Sequence, residues 1–174
     1  MVRISAACFA VVIGSLPLLA DNPTKVAEVK KLVEALGDAN IKGDYAKVID
    51  LTYDGVVKIL GGRAEAIKNV EAMSKGLSDK GITMKSFTVG IPGDFLTEGD
   101  NTFVIVPTTI ELAIPGGKAL IKAHQLGISI DSGKTWKFTD CAGLDNKAYR
   151  ERVFPKLPAK LKLPEKSKPE IIKN

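Results

Sequence analysis

The chain has 174 residues, 45% hydrophobic and 26% charged, a balance that fits one folded domain and excludes a disordered chain. Two cysteines exclude a disulfide-rich scaffold, and a single histidine excludes a histidine-rich metal site, so we expect neither a metal nor a cofactor. The net charge of +5 comes from the two ends, because Arg3 contributes +1 and residues 156–173 contribute +4. Residues 21–155 are therefore neutral overall, and we do not expect a nucleic-acid partner, which requires a basic face on the domain.

The first 20 residues have the form of a secretory signal peptide. Arg3 precedes an apolar run that ends at Ala20 before a polar stretch. A glycine and a proline interrupt this run, which is also short for a membrane-spanning helix. We expect export to the periplasm or the medium after cleavage near Ala20, with an uncleaved N-terminal anchor as the alternative. Cleavage would leave Cys141 as the only cysteine, and we expect it to be buried and unreactive.

Helical periodicity predicts three helices in the first half of the chain. Apolar residues recur at helical spacing over 24–43, Asp44 caps a second short helix, and residues 63–76 form a third. Between the second and third helices, the apolar run 56–60 follows an Asp54-Gly55 turn and predicts a short strand.

After residue 81 the period of the apolar residues changes from that of a helix to that of a strand. Four strands are predicted, at residues 83–91, 102–114, 119–130 and 135–141. The short turns between them indicate an antiparallel meander. Helices followed by a sheet predict an α+β fold, in which the N-terminal helices pack on an antiparallel sheet.

The C-terminal residues 143–174 are rich in proline and lysine and form an extension to the predicted domain of residues 21–142. Prolines spaced through this segment exclude a long helix or a central strand, so we expect an extended arm or a disordered tail. An arm would lie along the domain through Leu157, Leu161 and Leu163, with its lysines outward. Those lysines could contact anionic envelope material or an acidic partner, and a solvated tail is the alternative.

The order of elements resembles the nuclear transport factor 2-like superfamily, which includes ketosteroid-isomerase-like and SnoaL-like proteins. The resemblance rests on the run from Gly43-Asp44-Tyr45 to Leu60-Gly61-Gly62 and on the hairpin Ser-Ile-Asp-Ser-Gly-Lys-Thr-Trp at 129–136. It covers about residues 24–142 and is closest to exported bacterial members. It implies a curved sheet with helices that enclose a cone-shaped pocket, a cystatin-like α+β roll. Isomerases, dehydratases, binding modules and assembly modules share this fold, so the resemblance does not fix the function.

The turns predict which residues share a sheet face. A turn at 115–118 would pair Ile114 with Ala119, and a loop that Asp131 stabilises by accepting backbone N–H bonds would pair Ile128 with Phe138. One face, expected under the helices, then carries Phe103, Ile105, Leu126, Ile128, Ile130, Trp136 and Phe138. The other, solvated or docked on a second copy in a homodimer, carries Ala123, Gln125, Gly127, Ser129, Lys137 and Thr139.

The candidate catalytic residues are His124 and Asp140, which this register places on one face at diagonal spacing. A carboxylate that accepts the imidazole N–H would leave the other ring nitrogen as a general base. The alternative is a polar pair at the wet end of the sheet. The expected ligand pocket beside His124 is lined by Tyr45, Tyr53, Leu126 and Trp136, although packing also explains both tyrosines.

These observations favour an exported domain that binds a small apolar or amphipathic ligand, or a protein partner, without catalysis. The first alternative is an isomerase or dehydratase that uses His124 and Asp140 as acid and base. The second is an assembly scaffold whose pocket is filled by its own side chains.

Overall fold

The computed structural model describes residues 23–154 and 157–173, so the predicted signal peptide lies outside the described residues. Within these ranges no helix has the length and apolar character needed to cross a membrane. The first four elements are the helices α1 Pro23–Lys42, α2 Tyr45–Leu51, α3 Asp54–Ile59 and α4 Arg63–Ser78. The rest are β1 Thr83–Val89, β2 Leu96–Glu98, β3 Asn101–Ile114, β4 Gly117–Ser129, β5 Lys137–Asp140, a 3-10 turn Cys141–Asp145, α5 Lys147–Val153 and β6 Glu170–Lys173.

The predicted α+β class is confirmed, with helices packed on a six-stranded antiparallel sheet that does not close into a barrel. The long hairpin of β3 and β4 forms its centre. Strands β1 and β2 pair with the outer edge of β3, one after the other. Strands β5 and β6 pair in the same way with the outer edge of β4. The sheet is therefore four strands wide, and each outer row consists of two short strands.

The predicted pairing of β3 with β4 is wrong by two residues. Ile114 pairs with Gly117, so the turn has only two residues, Pro115 and Gly116. Proline fixes its own φ near −65°, and Gly116 has φ +77, a conformation that residues with a Cβ rarely adopt. Because side chains alternate between the two faces of a strand, a register error of two residues leaves each side chain on its predicted face.

The predicted pairing of β4 with β5 is wrong by one residue, and this error exchanges the faces of β5. Phe138 pairs with Gly127 rather than Ile128. The loop before β5 contains two consecutive residues with positive φ, Ser132 at 61° and Gly133 at 86°. As predicted, Asp131 stabilises this loop by accepting backbone N–H bonds, from residues 134 and 135 at 3.1 and 2.9 Å.

The N-terminal helices cover the face that was expected to be open. Gln125, Gly127 and Ser129 are buried there beside Phe138. The residues that pack on this side, here called the first core, include Val29, Val33, Leu36, Ala39, Val48, Val89, Val104, Val106, Trp136 and Phe138. These sheet residues are therefore not available to a second copy.

The opposite face is covered by the C-terminal part of the chain. This second core contains Val56, Phe103, Leu126, Ile128, Cys141, Leu144, Val153 and Phe154. Leu157, Leu161 and Leu163 pack against it, as predicted for an extended arm, and the arm lysines at 160, 162, 166 and 168 are exposed. The C-terminal extension is therefore part of the folded structure, and the sheet is buried on both faces.

The predicted strand at 56–60 is a helix, α3. Its first turn begins at Asp54, with the N–H of Val56 bonded to the carbonyl of Tyr53 at 2.9 Å. Strand-like pairing ends just before it, where the Tyr53 N–H bonds to the carbonyl of Phe138 at 2.8 Å. A short apolar run has no decisive period, and here helical contacts in the second core decide its structure.

Candidate functional site

His124 and Asp140 lie near each other but do not form the expected pair. Asp140 pairs with Gln125, which puts its side chain on the face opposite that of His124. In the described part of the chain no hydrogen bond or ion pair joins the two side chains. The Asp140 carboxylate instead accepts the N–H of Ala142 at 2.7 Å and caps the 3-10 turn. Both residues line a cavity of about 130 Å³ at the sheet edge.

Three of the four expected pocket residues are packed into the two cores. The Tyr53 ring stacks on Phe154 with centroids 4.7 Å apart, and burial raises the pKa of Tyr53. Leu126 is fully buried in the same second core. Trp136 lies in the first core on the other side of the sheet, edge-on to Phe95 at 5.6 Å. These residues do not share one pocket.

Tyr45 lines a larger cavity of about 350 Å³, here called the Tyr45 cavity. It lies on the helix side of the sheet, between the end of α1, the C-terminal half of α4, and β1. Its apolar lining consists of Ile41, Val70, Met73, Leu77, Ile82, Met84 and Leu112.

A β-bulge at Lys85 places Met84 in this wall. Phe87 and Val89 face the first core, so regular alternation would put Lys85 on the same side. The pairing with β3 shifts between Met84 and Ser86, which leaves Lys85 without a partner. As a result Met84 lines the Tyr45 cavity and Lys85 is exposed. The bulge therefore puts the apolar Met84 in the cavity wall instead of the charged Lys85.

Helix α4 supplies the opposite wall and packs loosely. It contacts α2 and α3, and Ala66 is its one buried residue. Its later apolar residues remain open, with Met73 63% and Leu77 42% exposed. Large apolar side chains left exposed beside a cavity are typical of a binding surface.

Six polar side chains share the lining with the apolar ones: Asn40, Lys42, Tyr45, Ser74, Ser78 and Thr83. The Tyr45 hydroxyl donates a hydrogen bond to Ser74 Oγ at 2.6 Å. The Asn40 side-chain amide donates to the carbonyl of Leu36 at 2.9 Å. Lys42 lines the cavity with its ammonium 3.7 Å from Asp38, both side chains being exposed. Apolar walls with a few placed polar groups are characteristic of sites for small molecules.

Asp50 and Cys141 have structural roles. The Asp50 carboxylate receives two hydrogen bonds from Arg63, at 2.6 and 2.9 Å, which lower the pKa of Asp50. Burial, with smaller contributions from Asp140 and Asp145, raises the pKa of Cys141 to about 12, as fits the expected unreactive thiol. Over residues 23–154 and 157–173, no cluster of histidine, cysteine or acidic side chains could hold a metal ion.

The chain was compared with protein-family models, curated proteins and solved structures, and none of them matches. The candidate site therefore rests on the geometry alone. Sequence reasoning included Tyr45 but missed the two methionines. The helical spacing of α4 does not show that Met73 lies beside a cavity, and no sequence signal marks the bulge that places Met84.

Proposed function

We propose that this protein binds a small apolar or amphipathic molecule in the Tyr45 cavity and does not transform it. The observation that carries the proposal is an open cavity of mixed lining between the helices and the sheet, in which a bulge places Met84 rather than Lys85 in the wall. A cavity that served only packing would be filled by side chains.

The volumes of the two cavities favour this location over the one beside His124. Ligand pockets for small molecules occupy roughly 300–1,000 Å³. The Tyr45 cavity, at about 350 Å³, falls within this range. The His124 cavity, at about 130 Å³, does not.

The lining indicates the class of ligand. Apolar side chains from α1, α4, β1 and β3 favour an apolar body, and the flexible thioethers of Met73 and Met84 adapt to its shape. The Tyr45 and Ser74 hydroxyls can hydrogen-bond one polar group, and Lys42 can attract a negative charge. An amphipathic molecule with a single polar or anionic head group fits these features best.

The two alternative functions have less support. An isomerase or dehydratase would need a base oriented by its carboxylate, yet the Asp140 carboxylate accepts a backbone N–H and not the His124 ring. A scaffold would have a pocket filled by its own side chains, whereas the Tyr45 cavity is open.

We also propose that the protein is exported after cleavage near Ala20 and belongs to the nuclear transport factor 2-like superfamily. The apolar run of residues 4–20 supports export, and the α+β fold supports membership only at the level of fold class. N-terminal sequencing of the purified protein should begin at Asp21, and a sequence that begins at Met1 would contradict cleavage. A homodimer stays a prediction and would need a surface other than the buried sheet face.

Native mass spectrometry of the protein purified from its own source tests the binding proposal. We expect a mass excess that disappears when the same sample is denatured. Met73→Trp should abolish this excess, because the indole would plug the cavity from an exposed position where added bulk costs little stability. Glu71→Trp introduces the same indole at an exposed position of α4 outside the cavity lining, and this variant should retain the mass excess. A bare protein mass, or equal loss from both variants, would contradict the proposal.

A further inference from the structure

The outer edge of β4 has a gap between β5 and β6, here called the edge notch. β5 pairs with residues 125–128 of β4, and β6 pairs with residues 117–120. Residues 121–124 have no strand partner on that edge, and no other described residue hydrogen-bonds to their main chain there. The small cavity beside His124 lies at this position, between residues 140–142 and the arm residues 164–169.

Pro169 explains why the notch persists. The register of β4 with β6 pairs Leu120 with Glu170, so continued pairing would place Pro169 opposite Ile121. Proline holds φ near −65°, whereas residues of antiparallel strands lie near −140°. β6 therefore begins only at Glu170, although the preceding arm residues also lie beside β4.

From this arrangement we infer that the edge notch is a binding site for a short extended peptide. In an antiparallel sheet every second residue of a strand turns its N–H and C=O toward a given neighbour. Two of the residues 121–124 thus present a donor and an acceptor each to the notch. A peptide backbone offers the same alternation of donors and acceptors and adds to a strand edge through it.

The dimensions limit the length of the peptide. Four residues of strand span roughly 14 Å, at about 3.4 Å a residue, and β5 and β6 block both ends. The enclosed space of about 130 Å³ holds only part of a peptide, and the remainder would lie in solvent. Two residues span roughly 7 Å, so a dipeptide can lie between β5 and β6, whereas a long strand cannot. Ile110, Ile121 and Ala142 provide apolar contacts for the small side chains.

Charged side chains around the notch match a peptide with free ends. Lys122 and Lys166 can attract its carboxylate, to which a His124 ring N–H can donate a hydrogen bond, and Asp140 and Glu165 can attract its ammonium group. No ion pair joins any two of these residues, and the Asp140 carboxylate already accepts the Ala142 N–H. A zwitterionic dipeptide should therefore bind better than the same peptide with blocked ends.

The test is an NMR titration of the 15N-labelled protein with Ala-Ala, with N-acetyl-alanine methylamide, and with sodium acetate. Ala-Ala should shift the amide signals of residues 121–124, with a dissociation constant on the order of 1 mM for so small a ligand. The blocked peptide should bind several-fold more weakly, and acetate should leave these signals unchanged. The methyl signals of Met73 and Met84 should not respond, which separates this site from the Tyr45 cavity.

Pro169→Ala is the deciding variant. Alanine allows β6 to extend along β4 and close the notch, so Ala-Ala binding should fall at least tenfold and amide exchange in residues 121–124 should slow. Lys168→Ala, at an exposed neighbour outside the cavity lining, should bind within twofold of the natural protein. The inference is overturned if Pro169→Ala binds Ala-Ala unchanged, if acetate produces the same shifts, or if no amide in 121–124 responds to Ala-Ala.

Discussion

Alanine substitution at two helical glycines should change stability in opposite directions. In an open helix position, Gly→Ala stabilises by about 0.5–1 kcal/mol, because alanine loses less backbone freedom on folding. Gly76 in α4 is such a position, since a Cβ there would meet no atom within 4 Å. At Gly37 in α1 a Cβ would lie 2.2 Å from the Phe87 ring and 2.8 Å from the Phe87 Cβ. The whole Phe87 side chain is in the way, so it cannot avoid the clash by moving only its tip.

Overpacking of this kind costs about 1–3 kcal/mol. Because the close approach includes the Phe87 Cβ, we take the upper end and expect Gly37→Ala to destabilise by about 2 kcal/mol after the gain in helix propensity. Urea unfolding followed by the fluorescence of Trp136, the one tryptophan, measures both variants. At about 2 kcal/mol per molar urea, the midpoint should fall by about 1 M for Gly37→Ala and rise by about 0.3–0.5 M for Gly76→Ala. Equal stabilisation by both variants would refute the packing of α1 on β1.

Three further predictions test the second core, the buried thiol and the hairpin. Leu126→Ala should destabilise by about 2–5 kcal/mol in the same urea assay, because this side chain is fully buried beneath the C-terminal part of the chain. A loss no larger than that of Ile130→Ala, at an exposed position of the same hairpin, would mean that this face is open. Cys141 should resist iodoacetamide at pH 8 in the folded protein and react after unfolding in urea, as followed by mass spectrometry, since burial raises its pKa to about 12; equal rates in both states would contradict its burial. Hydrogen bonds from Ser129 and Thr135 hold the pKa of the Asp131 carboxyl well below its ordinary value. The contribution of the ionised Asp131 side chain to the free energy of unfolding should be complete above about pH 4, where an unfolded aspartate is ionised. It should decline as the pH falls further toward the pKa of Asp131 in the folded protein. The difference in urea midpoint between the natural protein and Asp131→Ala should therefore be constant from pH 5 to 8 and shrink below pH 4, and a difference that grows in acid would refute this.

The sequence predicted whether a segment is a helix or a strand wherever the apolar residues kept one spacing over a long enough segment. The helices at α1 and α4 and the strands β3 and β4 lie close to their predicted bounds. The run at α3 was too short for its period to decide, and its contacts in the second core come from residues about a hundred positions later. For the C-terminal segment the sequence left open an arm packed through its leucines or a solvated tail, and the leucines pack against the second core.

Register was harder to predict than element type. The number of residues in a turn is fixed by backbone conformations, such as the positive φ of Gly116 and Ser132, that residue identity constrains only in part. An error of one residue before β5 separated His124 from Asp140 and exchanged the faces of Trp136 and Phe138. The bulge at Lys85 also changed which residue faces the helices. Met84 lines the Tyr45 cavity, whereas regular alternation would have placed Lys85 on that side.

The most direct test of the Tyr45 cavity uses its two methionines. Met73 and Met84 are the only methionines after residue 1, so 13C-methyl labelling places both reporters in the cavity wall. The protein would be titrated with decanoate, an amphipathic probe with an apolar chain and an anionic head group, and with acetate as the control. We expect decanoate to shift both methyl signals along one saturation curve and acetate to leave both unchanged. In Met73→Trp the Met84 signal should no longer respond to decanoate. Methyl signals that do not move with decanoate, or that move equally with acetate, would contradict the proposed binding site.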